Sequence, residues 1–137
     1  MKLYILLVAA LVLAASNALA ANYIEPDELK QAFQQKRELI IVDIQPAEQF
    51  EQHHFNGSIE TNAFPAKTEQ EKKRLDKALP VIKASGAPVI VVCPRGKSGA
   101  KNSYEYLAEH GVPEERLQIL EDGMGGWPFK EYIRQGR

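Results

Sequence analysis

An α/β layer on a mostly parallel sheet is the fold class this sequence predicts, and three observations predict it. Two short runs, Leu39–Ile44 (apolar but for Asp43) and Val89–Val92, are β-rich and apolar, the pattern of strands buried on both faces. Segments of helical spacing alternate with such runs along the chain. The 137 residues, 45% hydrophobic and 26% charged, suit one folded domain rather than two or a disordered chain.

The chain opens on Met1-Lys2, an unbroken apolar run from Leu3 to Leu13, then Ser16-Asn17-Ala18-Leu19-Ala20. Small residues at Ala18 and Ala20 supply an A-x-A cleavage site, so residues 1–20 are predicted to be a secretory signal peptide. The apolar run is shorter than the roughly 20 residues that span a bilayer. Residues 21–137 are then expected to form a single exported domain, periplasmic or secreted, free of the membrane after cleavage near Ala20.

Within that domain, Ile24-Glu25-Pro26 marks a strand end followed by proline at a first helical position. Leu29, Ala32 and Phe33 carry the helix to about Lys36. The strand Leu39–Ile44 comes next, then a short helix from Pro46 to Glu51, then a weaker strand within Gly57–Asn62. Thr68–Ala84 is charged with Leu75, Leu79 and Ile82 on one side, an amphipathic helix that Pro80 kinks or splits. Its run Glu69–Arg74 is a solvated face. Ser85-Gly86-Ala87-Pro88 turns the chain into Val89–Val92, which ends at Cys93. A helix starting at Ser98 or Gly99 runs to His110 and closes on Gly111, with Pro113 just beyond. Leu117–Leu120 is a further strand. A last helix is expected over Met124–Gln135, packing Trp127 or Phe129 with Tyr132 and Ile133.

Seventeen Lys+Arg against eighteen Asp+Glu gives no electrostatic reason to expect a nucleic-acid or anionic-membrane partner. The one cysteine forms no internal disulfide and no multi-cysteine metal site. Adjacent His53 and His54 share no face, so neither metal nor cofactor is expected. Exported chains usually pair their cysteines or lack them, so a solitary Cys93 stands out. Its alternative role is that of a small buried hydrophobe.

Ligands of parallel α/β sheets bind at the carboxyl ends of strands, where Cys93 falls. Cys93-Pro94-Arg95-Gly96-Lys97-Ser98-Gly99 is strand end, tight basic loop, then helix start. The thiolate is the nucleophilic form of cysteine. Helix N-terminal amides and the cations Arg95 and Lys97 would favour it, while Gly96 and Gly99 would let backbone N–H groups turn inward around an anion. Ser98 is a candidate helix N-cap or hydroxyl donor to the sulfur. Gly96-Lys97-Ser98 is no P-loop, because the glycine needed five residues earlier is Val91. A thioredoxin-like pair would need cysteine where Gly96 stands. A cysteine phosphatase would need arginine where Gly99 stands.

These motifs together resemble the rhodanese (sulfurtransferase) family, specifically its single-domain exported members. The resemblance rests on Ile41-Val42-Asp43, on Pro46–Phe50 followed by His53-His54-Phe55-Asn56-Gly57-Ser58-Ile59, on the loop Cys93–Ser98, and on Asp122-Gly123-Met124-Gly125-Gly126-Trp127. It spans most of residues 21–137. Gln45 stands where the family often has arginine, Asp122 where the terminal motif often begins with glycine, and His53 where glycine often precedes the family histidine.

The resemblance implies a rhodanese-like domain with a mostly parallel five-stranded sheet flanked by helices on both faces. It implies that Cys93 takes sulfane sulfur from thiosulfate or polysulfide as a persulfide and passes it to cyanide or a thiol. Pro94, Arg95, Gly96, Lys97 and Ser98 would bind substrate. Asp43 and His54 would support the structure, His54 by holding the loop after the short helix. Trp127 would be core or pocket wall. The alternative is a carrier that delivers sulfane sulfur to a partner protein without turnover. The sequence leaves the oligomeric state open, a homodimer included.

Overall fold

A computed structural model describes residues 20–137. The leader expected over residues 1–20 lies outside the described residues, except for Ala20. Among the described residues no helix is long and apolar enough to cross a membrane.

The elements are β1 (Tyr23–Ile24), α1 (Pro26–Gln34), β2 (Ile40–Asp43), α2 (Ala47–Gln52), β3 (His54–Phe55), β4 (Ile59–Glu60), α3 (Glu69–Lys73), α4 (Leu79–Lys83), β5 (Val89–Val92), α5 (Ser98–Glu109), β6 (Leu117–Leu120) and β7 (Ile133–Arg134). Five strands form one sheet in the order β1-β6-β5-β2-β4, with every pairing parallel. That is the expected sheet. β3 and β7 make a separate antiparallel pair, His54 opposite Arg134 and Phe55 opposite Ile133.

Alternation along the central strands explains why both β2 and β5 are so apolar. Ile40, Val42, Val89 and Val91 pack into one core with Leu75, Ala78, Ile82, Tyr104 and Leu107 from the segment α3 to α5. Ile41, Ile90 and Val92 point the other way, onto Leu29 of α1 and onto Phe55, Met124 and Trp127. Successive side chains of a strand point to opposite faces, so a strand covered on both sides has little room for polar residues.

The charged segment predicted as one helix with a break is three pieces. Thr68 and Glu71 exchange side-chain and backbone hydrogen bonds at 3.1 and 3.0 Å, a capping box that starts α3. A 3₁₀ turn over Arg74–Ala78 follows, and α4 carries Pro80 in its first turn, where a missing N–H matters least. Arg116 reaches across from the start of β6 and donates to the carbonyls of Ile82 and Ala87, both at 3.0 Å. It thereby adds a donor at the Ile82 carbonyl, which the end of α4 already bonds through backbone N–H groups.

The last helix expected over Met124–Gln135 does not form. In its place are 3₁₀ turns over Met124–Gly126 and Lys130–Tyr132, and then β7. Gly125 and Gly126 weaken a helix, and Pro128 forces Trp127 out of the helical region to ψ 117°. The apolar spacing of Trp127, Phe129, Tyr132 and Ile133 serves an aromatic cluster instead. The Trp127 ring lies 4.8 Å from Phe55, 5.2 Å from Phe129 and 5.9 Å from Phe33.

Candidate active site

β5 runs through the middle of the sheet with Val92 opposite Asp43 of β2, so the residues just past both strands meet at one edge. Cys93 is the first residue beyond β5 and is 1% exposed. The chain then folds back: Gly96, at φ +69°, donates its N–H to Cys93 Sγ at 2.7 Å. Burial pushes the Cys93 thiol above its ordinary value, and the N–H groups of Gly96, Arg95, Lys97 and Ala100 work against that shift. The resting sulfur is therefore a neutral thiol in a cradle of amides already oriented for an anion.

That arrangement corrects the expectation for Arg95 and Lys97. Both side chains are exposed, and what the two residues bring to the sulfur itself is their main-chain N–H groups, while the Arg95 side chain lines the cleft beside the loop. Pro94 has no N–H; its carbonyl accepts from Gly125 at 2.9 Å. Ser98 does not cap α5. The N-cap is Lys97, without a side-chain hydrogen bond, and exposed Ser98 is the first helical residue. Among the described residues its hydroxyl makes no hydrogen bond to Cys93. Gly99 sits under the ring of Phe64, where a Cβ would lie 2.9 Å from a ring carbon.

The turn after β6 clamps the loop from the other side. Met124 N–H donates to the Cys93 carbonyl at 2.8 Å. Gly123, at φ +63°, lies so close that a Cβ there would stand 2.6 Å from the nitrogen of Arg95 and 2.7 Å from that of Gly96. Asp122 begins this turn at φ +61°, a left-handed conformation that aspartate tolerates.

Asp43 is completely buried. Its carboxylate accepts from the main-chain N–H of Gln45 at 2.8 Å and from Gln45 Nε2 at 2.9 Å, while its carbonyl accepts from Thr61. It ties the end of β2 to the turn at Gln45 and to the residue just past β4. His54 stacks on Phe50 with centroids 4.2 Å apart, and its Nδ1 bonds the Phe50 carbonyl at 2.9 Å. This fixes the end of α2, and His54 lines a separate depression of about 440 Å³ beside β4 rather than the loop.

Beside the loop lies a cleft of about 970 Å³ whose walls include Gln45, His53, Pro94, Arg95, Met124, Trp127, Lys130 and Arg134. Trp127 is thus both core and wall. His53, an exposed residue, lines this cleft as well. So do Lys130 and Arg134, which the sequence did not single out. They are brought there by the pairing of β7 with β3, a contact no local pattern announces.

The sequence pattern that defines the Rhodanese-like domain matches residues 25–129. No curated protein matches the chain. Among solved structures, the chain is similar to a rhodanese-like domain protein from Staphylococcus aureus, with 21% identity, 85% of this chain and 99% of that one covered, and a TM-score of 0.59. It is similar to a rhodanese-related protein from Thermoplasma volcanium at 16% identity, covering 82% and 97% of the two chains, with a TM-score of 0.59. It also aligns with a thiosulfate sulfurtransferase from Pseudomonas aeruginosa at 16% identity and TM-score 0.61, covering 85% of this chain and 20% of that one.

Proposed function

The chain belongs to the rhodanese-like domain family, and from that premise we propose that it is a sulfurtransferase working through a Cys93 persulfide. The observation that carries this is the set of N–H groups around Cys93 Sγ, with Gly96 at 2.7 Å. Such donors stabilise an anionic sulfur as an oxyanion hole stabilises oxygen.

In the first half-reaction the Cys93 thiolate attacks the outer sulfur of thiosulfate or polysulfide. A new S–S bond forms on Cys93, and the old one breaks with its electron pair leaving on sulfite or on the shortened polysulfide. In the second, cyanide or a thiolate takes the outer sulfur and the electron pair returns to Cys93. Wherever the Cys93 sulfur is anionic in this cycle, the amide cradle stabilises it. Asp43 holds the end of β2 beside the loop, His54 fixes the end of α2, and loop residues 94–98 border the substrate. The leader reading of residues 1–20 puts this chemistry in the periplasm or outside the cell.

Thiocyanate production from thiosulfate or polysulfide plus cyanide tests the proposal. We expect turnover by the wild type and none by Cys93→Ser; equal turnover by the two would end it.

A further inference from the structure

Gln45 is 3% exposed, yet it lines the cleft beside Cys93. Its Nε2 donates to Asp43 Oδ2 and to the His53 carbonyl, both at 2.9 Å. A primary amide carries two N–H protons, so both are committed. The His53 carbonyl can only accept, which fixes the amide orientation. Oε1 has no partner among the described residues and is not a fully buried unpaired atom, so it keeps some exposure on a residue that lines the cleft. Next to the loop, the cleft therefore presents an acceptor. The same walls present Arg95, Lys130 and Arg134 with no carboxylate, together with the amides of Gln49 and Gln52. Its volume of about 970 Å³ fits a ligand of many heavy atoms rather than a five-atom inorganic anion.

We propose that the cleft takes an anionic peptide-sized thiol and its persulfide, and that Gln45 selects it over thiosulfate by accepting a hydrogen bond from a substrate N–H. This rests on the Cys93 sulfur-transfer reading. The sulfonate oxygens of thiosulfate only accept, so at Gln45 they meet another acceptor. A peptide amide or ammonium donates there, and substrate carboxylates pair with Arg95, Lys130 and Arg134. The transfer is Cys93–S⁻ + R–S–SH → Cys93–S–SH + R–S⁻. The new S–S bond forms on Cys93, the old one breaks with its electron pair on the peptide thiolate, and the terminal sulfur keeps its proton. Nothing is oxidised or reduced overall, and the reverse reaction loads a peptide thiol.

The test is the second-order rate constant for adding one sulfur to Cys93, read by intact mass, with glutathione persulfide and with thiosulfate. Wild type should favour the persulfide by at least about tenfold, the scale set by one unmatched polar group. Gln45→Arg can still donate to Asp43 and His53 while turning a donor toward the cleft, and it should shrink that preference at least about tenfold. A wild-type preference for thiosulfate, or a folded Gln45→Arg with an unchanged ratio, overturns the inference. The wild-type comparison decides it even if the variant does not fold. S-methylglutathione, which has no sulfur to transfer, separates the two readings. Calorimetric binding that the Lys130→Ala, Arg134→Ala double variant weakens, with no Cys93 labelling by either donor, would sink sulfur transfer and keep the cleft assignment. No binding at millimolar ligand would sink the cleft assignment.

Discussion

Gly96 and Gly123 face each other backbone to backbone: a Cβ on Gly96 would stand 3.0 Å from the Gly123 nitrogen, and both residues hold positive φ. The loop after β5 and the turn after β6 can approach this closely only because neither carries a side chain at the contact. Two distant motifs, the cysteine loop and the terminal glycine-rich turn, are thus one piece of structure, joined by the Met124 N–H to Cys93 carbonyl bond.

Gly123→Ala should therefore lose more than backbone strain. At φ 63° and ψ −164° the residue holds a conformation that essentially only glycine adopts, and the added methyl also collides with the Cys93 loop. Gly57 also has a positive φ, +77°, with nothing within 4 Å of its added Cβ, so Gly57→Ala reports a positive-φ alanine without a collision. Urea unfolding should place Gly123→Ala at least about 1–3 kcal/mol below Gly57→Ala, the ordinary range for forced overpacking. Equal losses would mean that the loop yields freely.

Burial raises the Cys93 thiol, so only a minor fraction is thiolate at neutral pH. Alkylation by iodoacetamide should climb about tenfold per pH unit from pH 6 through 8 and level off only above the ordinary thiol value of ~8.5. The rate of sulfur loading onto Cys93 should rise over the same range. A plateau below pH 7 in the alkylation profile would show that the amides outweigh burial.

Trp127 is 8% exposed, packs against four aromatic rings, and donates Nε1–H to the Phe129 carbonyl at 2.7 Å. Trp127→Ala should lower unfolding free energy by about 3–5 kcal/mol, the usual loss for a large buried aromatic. Trp127→Phe should recover much of that, losing the indole bond but leaving the Phe129 carbonyl its bond from the Tyr132 N–H. Denaturant midpoints of the two variants check the order.

The strands β2, β5 and β6, the helices α1 and α5, and the placing of Cys93 were legible because each depends on a local apolar run or on a glycine-proline stop. The end of the chain was not. Trp127, Phe129, Tyr132 and Ile133 fall at helical spacing, and only the weight of Gly125, Gly126 and Pro128 tips the segment into turns and β7. His53, Lys130 and Arg134 reach the cleft through β3–β7 pairing, and two-residue strands leave no sequence signature. The sulfur's surroundings differ from expectation for a related reason. A sequence displays the cations of Arg95 and Lys97, whereas the direction of backbone N–H groups is fixed by φ at Gly96.

Asp43 supplies a pH signature. Burial raises its carboxyl from 3.8 to about 7, more than the hydrogen bonds from Gln45 lower it. Between about pH 4 and 7 the folded protein then holds a proton that the unfolded chain has released. Stability falls with rising pH wherever the folded state binds more protons, so Asp43 should make the protein progressively less stable from pH 4 to 7, with the loss complete above that window. Asp43→Asn cannot titrate. It also sets an amide donor against Gln45 Nε2, so the variant should be less stable at pH 5, where the wild-type carboxyl is still protonated. The telling quantity is the slope: urea unfolding free energies at pH 5, 6, 7 and 8 should decline more steeply for wild type than for Asp43→Asn. Parallel slopes would mean that Asp43 is ionised throughout, with its two bonds from Gln45 outweighing burial.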